Sequence, residues 1–304
     1  MLNTFSFIVI SYNRAKDTID ALKNILWLDN VEGWKKEIII LNNNSSEDYL
    51  PLEHYIAQCS IEIQKTIHYI HHNENLGVSG GRNFCIKKAT GKYLFFLDDD
   101  AEIVQQNAIA IILKKFEQYK SENLGIIGFL GKNPYNNTYQ SPIKNQALIK
   151  DKNEIFYNLF YGYGHVFPKA LIENTGYYQE DFFYGMEEND LSYASIKKGY
   201  AILFSKDILV LHKVNPNGRE PNIQTKSRLF QNRMIVVYKH LPFIYVLTQF
   251  IMWSFYFLYH SKINIIAYFK ALIQLKQRIK LVQRKPMNQK GMAYLQKVQA
   301  RLWY

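Results

Sequence analysis

The run Tyr93 to Leu97 contains no polar residue, and three carboxylates follow it at once, Asp98, Asp99 and Asp100. An apolar run without alternation must be covered on both faces, the condition of an inner strand in a parallel sheet. Open α/β sheets hold ligands beyond the carboxyl ends of such strands. Two acids one residue apart at that place can share one divalent cation, which can in turn hold a diphosphate, and oxygen ligands of this kind suit magnesium or manganese. The bland alternative is that Asp100 caps a helical segment beginning near Gln105.

Similar runs recur at Phe5 to Ile10, Glu37 to Leu41, Ile67 to Ile70 and Leu124 to Leu130. Between them, Ala15 to Leu28 and Ala108 to Phe116 space their apolar residues as a helix does. This alternation predicts an α/β fold, a mixed and mostly parallel sheet flanked by helices. No basic segment precedes Phe5, so the first run reads as a strand and not as a signal peptide. The two cysteines, Cys59 and Cys85, have no metal-type spacing, which sets a reduced, cytoplasmic protein as the expectation. Lys132 to Asn153 reads as a long surface loop, and Asp181 to Gly199 as an acidic turn entering a helix. Glu187, Glu188 and Asp190 fall in that helix's first turn, where acids also complement the helix dipole. Two more apolar runs, Ala201 to Phe204 and Ile208 to Leu211, follow, and the second ends at His212.

Four separated segments share one pattern: Ile10 to Arg14, Leu41 to Asp48, Asn75 to Asn83 ahead of the three aspartates, and Phe182 to Asp190 followed by His212. In their order and spacing they resemble the family 2 inverting glycosyltransferases of the GT-A fold. The resemblance covers about the first 215 residues and implies a nucleotide-sugar donor. It assigns Ser11, Tyr12 and Arg14 to the donor, and it assigns the base edge to the loop beginning Asn42 and Asn43. Relatives commonly carry an aspartate at one of those two positions. An asparagine both accepts and donates, which leaves a UDP- or dTDP-linked donor open. Gly80 and Gly81 would admit a diphosphate or sugar to the backbone, and Arg82 would add a fixed cation for phosphate oxygens.

By the same resemblance Asp98 reaches the ribose and the metal shell, Asp100 binds the metal, His212 completes the shell, and Asp99 is grouped with the donor contacts. Glu188 takes the place of the base that removes the acceptor's proton, where relatives often have aspartate. Glu187, as a ligand of an acceptor hydroxyl, and Asp190, as a support of the loop or acceptor, are the competing assignments. The implied reaction is metal-dependent (Mn2+ or Mg2+) inverting transfer to a hydroxyl of a glycan or lipid-linked saccharide in surface-polysaccharide synthesis. A catalytically silent scaffold and a nucleotidyltransferase are the alternatives.

Charge is unevenly distributed. Residues 221–304 hold 14 Lys plus Arg and no acid, so of the net +11 the first 220 residues carry −3. Leu241 to His260 contains eight aromatics. Beyond it, Leu272, Leu275, Ile279 and Val282 share one helical face, while Lys276, Lys280 and Arg284 share another. That composition suits a helix lying in a membrane interface. A role in a homodimer or in core packing, and a true span, are the other readings. Nothing resembles a nucleic-acid module. The expected organisation is a GT-A catalytic domain over 1–220, with a nucleotide-sugar half of about 1–104 and an acceptor half of about 105–220. A C-terminal helical, membrane-associating region over 221–304 follows, which places the protein at the inner face of the cell membrane.

Overall fold

The computed structural model describes residues 3–144, 149–214 and 222–303. The expected boundary at 220/221 and part of the loop expected after Lys132 therefore lie outside the described residues. The first half of the chain forms β1 (Thr4–Ser11), α1 (Ala15–Trp27), β2 (Lys35–Asn42), α2 (Leu50–Gln58), α3 (Ile61–Gln64), β3 (Ile67–His71), α4 (Gly77–Lys88), β4 (Tyr93–Leu97), β5 (Ala101–Ile103), α5 (Ala108–Gln118) and β6 (Leu124–Lys132). The second half forms β7 (Tyr139–Gln140), β8 (Glu154–Tyr157), β9 (Gly164–Pro168), α6 (Lys169–Thr175), α7 (Glu187–Lys197), β10 (Ala201–His212), α8 (Asn222–His240), α9 (Phe243–His260), α10 (Ile265–Ile279) and α11 (Gln289–Lys297).

All strands join one mixed sheet of order β3-β2-β1-β4-β9-β6-β10-β5, with β7 on β6 and β8 on β10. Pairing is parallel through β3, β2, β1 and β4 and again between β6 and β10, whereas β9 runs antiparallel between β4 and β6. Alternate residues of the inner strands feed two separate cores. Ile8, Leu94 and Phe96 pack on the side of α4, α7 and the C-terminal helices, and Phe7, Phe95 and Leu97 on the side of α1 and α5. That two-sided demand is why the strand sequences are apolar throughout.

Three elements differ from the sequence expectation. The chain after Asp100 enters the short strand β5 and not a helix cap, and α5 begins only at Ala108. The two runs before His212 are one strand, β10, in which the polar residues Ser205 to Asp207 are absorbed by a register shift against β6. The central strand β9 escapes pattern reading because His165 interrupts it. That imidazole is fully buried, shares a 2.9 Å hydrogen bond with the Tyr178 hydroxyl, and is held well below its ordinary pKa by burial and by nearby Arg82.

The C-terminal helices share the core of the sheet. Phe230, Met234, Val237, Phe257, Ala271 and Leu275 belong to the same buried cluster as Ile8 and Phe96. The stripe Leu272, Leu275, Ile279 and Val282, expected to face a membrane, turns inward against that cluster. The gain from burying it is therefore made within the protein.

Candidate active site

The acidic triplet forms the turn that follows β4, closed by the Ala101 N–H donating to the Asp98 carbonyl at 3.1 Å, and this turn separates its members. Asp98 and Asp100 face one way, while Asp99 turns toward the first strand, 2.8 Å from Arg14 Nη1. Arg14 also lies 3.4 Å from Asp100. Burial pushes the Asp99 carboxyl up to about 7 in spite of Arg14. Register brings in the distant ligand: β5 pairs antiparallel with the end of β10, so that His212 stands opposite Ala101, the residue after Asp100. His212 Nε2 is then 3.4 Å from Asp100 and 3.9 Å from Asp98. One ligand atom from each of Asp98, Asp100 and His212 lies within 4.8 Å of the others. Two carboxylate oxygens and one imidazole nitrogen form a donor set that fits manganese or magnesium.

Two neighbours set the histidine, and the sequence pattern flagged neither. Gln140 Oε1 lies 2.8 Å from His212 Nδ1, and accepting that proton leaves the Nε2 lone pair toward the acids. Tyr163 stacks on the ring at 5.1 Å.

A cavity of about 460 Å³ opens beside the triad, walled by Tyr12, Arg14, Asn43, Arg82 and the three aspartates, with Phe183 and Thr225 on the far side. Asn43 braces its rim: Oδ1 accepts from Leu76 N–H at 2.9 Å, and Nδ2 donates to the Gly77 carbonyl at 3.2 Å. Gly77 needs its positive φ of 68°, and a Cβ there would collide with the Phe183 carbonyl and lie 2.6 Å from its ring.

Three residues expected at the donor are used otherwise. Ser11 is fully buried, and its hydroxyl bonds Thr18 and Tyr49. Asn42 spends its side chain on Ser45 N–H and the Tyr69 hydroxyl. A Cβ on Gly81 would meet Ile10 and Leu41 at 3.2–3.3 Å, so this glycine serves the packing of α4 on the sheet and not a ligand. None of the three lines the cavity.

Arg82 connects the two acidic groups. Its buried guanidinium lies 3.0 Å from Glu188, 3.5 Å from Glu187 and 3.9 Å from Asp98, over the ring of Tyr178 at 5.3 Å. Burial opposes the charge, but the carboxylates raise its pKa further. The cation expected to meet phosphate is thus already held by protein carboxylates. Gly162 is what lets them meet, since a Cβ there would collide with Glu188 Oε1 and lie 2.5 Å from Arg82 Nη2. Glu187 is buried, and burial with the neighbouring Glu188 pushes it up to about 8. Glu188 is the more open of the pair.

Asp190 faces the other way. His240 Nε2 lies 2.8 Å from one of its oxygens and Lys239 Nζ 2.9 Å from the other. Burial would raise this carboxyl, but the hydrogen bond and charge of His240, and then those of Lys239, hold it at about 2. Of the roles expected for it, a competing base or a support of the loop or acceptor, this geometry fits the support, as an anchor between α7 and the end of α8.

The turn before α7 carries positive φ at Phe183, Gly185 and Met186. Asn232 of α8 holds it, its Nδ2 donating to the carbonyls of Phe182, Tyr184 and Gly185 at 3.1, 3.2 and 2.8 Å. Arg278 of α10 donates to Asn232 Oδ1 at 2.8 Å and to Asp181. No sequence motif announces this clamp, because its members lie about 50 and 100 residues from the turn.

A family model described as glycosyl transferase family 2 matches residues 6–173. The chain belongs to this family. Two curated relatives illustrate the likeness. A Haemophilus influenzae protein is 30% identical over 179 residues, 57% of this chain and 92% of that one. The Campylobacter jejuni GalNAc(5)-diNAcBac-PP-undecaprenol beta-1,3-glucosyltransferase is 28% identical over 192 residues, 60% of this chain and 56% of that enzyme. The chain thus spans little more than half the length of the latter. Among solved structures, the Pyrobaculum calidifontis mannosyltransferase PcManGT, in complex with GDP-Man and Mn2+, superposes with a TM-score of 0.61 at 17% identity, covering 97% of this chain and 79% of that one. The glycosyltransferase fold here is therefore GT-A, with a C-terminal helical region built onto it.

Proposed function

We propose that this glycosyltransferase moves one sugar, with inversion, from a UDP- or dTDP-linked donor to a hydroxyl of a glycan or lipid-linked saccharide in bacterial surface-polysaccharide synthesis, at the inner face of the cell membrane. The observation that carries the reading is Arg82, which lines the cavity with the metal candidate Asp98 and holds the base candidate Glu188 behind it. The name of the Campylobacter jejuni relative supports a lipid-linked saccharide as acceptor, and that of a Staphylococcus aureus poly-beta-1,6-N-acetyl-D-glucosamine synthase, 27% identical over 217 residues, supports polysaccharide synthesis.

Asp98, Asp100 and His212 would hold the divalent cation. When bound, it neutralises charge developing on the leaving diphosphate. Tyr12 and Asn43 line the cavity and would face the nucleoside. Glu188 takes the proton of the acceptor hydroxyl as that oxygen attacks the anomeric carbon and the bond to the diphosphate oxygen breaks, so configuration inverts. Arg82 orients the Glu188 carboxylate, and burial together with Glu188 itself favours the uncharged form of Glu187, which lessens the repulsion between the two acids.

The test is Asp100→Ala assayed for manganese-dependent release of nucleoside diphosphate, with the product anomer read by NMR. At least a hundredfold loss with an inverted wild-type product is expected. Unchanged turnover, pyrophosphate as the released product, or no nucleotide binding by the wild type would each overturn the reading.

A further inference from the structure

The inward turn of the Leu275 stripe leaves a different apolar surface outside. On α9, Ile244, Leu247, Ile251, Phe255 and Tyr259 recur every three or four residues along one exposed face, with Phe255 68% exposed. On α10, Ile266, Phe269 and Ile273 do the same, with Ile266 85% exposed. The link between the two helices carries exposed Lys262 and Ile263, both at positive φ, and a β-branched side chain held outward in that conformation is unusual. Apolar surface on this scale marks an interaction face.

Charge identifies the occupant. Exposed Lys262, Lys270, Lys276 and Lys280 border the apolar side chains, and residues 221–304 contain no acid. A second copy of this chain would bring two basic faces together, with the neighbouring Asp181 already paired to Arg278, whereas an anionic lipid surface complements them. Among the described residues no helix is long and apolar enough to cross a membrane. An apolar face with a basic border, on helices that cannot span, suits the headgroup boundary.

We propose that the exposed face of α9 and α10, and not the Leu272-Leu275-Ile279 stripe, docks this enzyme on an anionic membrane. The proposal deepens the reading of a lipid-linked acceptor. Its orientation follows from the fold: α9 follows directly on the end of α8, where His240 holds Asp190, so the docked helix is tied through that pair to the helix that carries Glu188.

The experiment is flotation of the full chain with vesicles of phosphatidylcholine alone or with one third phosphatidylglycerol, read without catalysis, so that failure here leaves glycosyl transfer untouched. Wild type is expected to float with the anionic vesicles and to be released by high salt. Phe255→Glu and Phe269→Glu, both at exposed positions, are expected to weaken binding at least tenfold, and Ile61→Glu on the distant α3 to leave it unchanged. Light scattering runs in parallel. Failure of the wild type to float would overturn the proposal. So would binding indifferent to both α9 and α10 variants, or a solution dimer dissolved by them in a protein that ignores vesicles.

Discussion

Asp190→Asn separates an anchoring acid from a catalytic one. The carboxylate is buried between His240 and Lys239 and is held at about 2, against 3.8 for a free aspartate. By linkage that difference corresponds to about 2 kcal/mol of folding stability at neutral pH. Removing one member of a buried ion pair commonly costs about 3–5 kcal/mol, because the other charge is stranded. Here the penalty sits lower, since Lys239 is partly exposed and can reach water. We expect the Asp190→Asn protein to lose about 2–3 kcal/mol in urea unfolding at pH 7. The sign of the pH dependence is fixed by the depressed value: the wild-type advantage is complete above the unfolded pKa of 3.8 and fades as pH falls through about 2, so the two unfolding curves converge in acid. Below its melting temperature the variant should keep kcat within about tenfold, whereas loss of a general base costs about 10²–10⁴. Equal stability at pH 7, or a thousandfold loss of kcat in a fully folded variant, would refute the reasoning.

Gly162→Ala should displace the Glu188–Arg82 pair, because the new methyl occupies its space; both are flexible side-chain ends, so kcat is expected to fall at least tenfold with only a small change in melting temperature. Asn232→Ala strips one amide from three carbonyls of the turn before Glu187, and about 1–3 kcal/mol of stability should go with it, with faster amide exchange over 182–188. Glu187→Gln should flatten the pH dependence of stability: a carboxyl raised to about 8 costs nothing below its unfolded pKa of 4.5 and increasingly destabilises the fold as pH rises from there to about 8. A glutamine mimics the uncharged acid, so at pH 8 the variant should unfold at a higher urea concentration than wild type, and an equal or lower midpoint would count against a protonated Glu187.

Much of the site could be read from local pattern. An apolar run that stops at acids locates a strand end beneath solvent, and the three aspartates fall in the turn that follows it. Glu187 and Glu188 mark a helix start by their place after a glycine-containing turn. The same reasoning did not foresee the internal contacts of Ser11, Asn42 and Gly81. Their residue types suit a ligand, but whether a hydroxyl, an amide or a missing Cβ meets a ligand or a neighbouring element depends on partners distant in the chain: Thr18 and Tyr49, Tyr69, and Ile10 with Leu41.

What the sequence determined by itself was the alternation of strands and helices, the acids at their ends, and the bias of charge toward the C-terminus, because periodicity and composition are local quantities. Tertiary structure alone decided three things. The β5–β10 register carried His212 to Asp100, burial turned Asp190 from a base candidate into an anchor, and packing against α8 drew the Leu275 stripe inward and left the Phe255 and Ile266 faces outside. The reason is the same in each case: a side chain's partners are set by which elements are brought face to face, and no pattern confined to one element encodes what lies across from it.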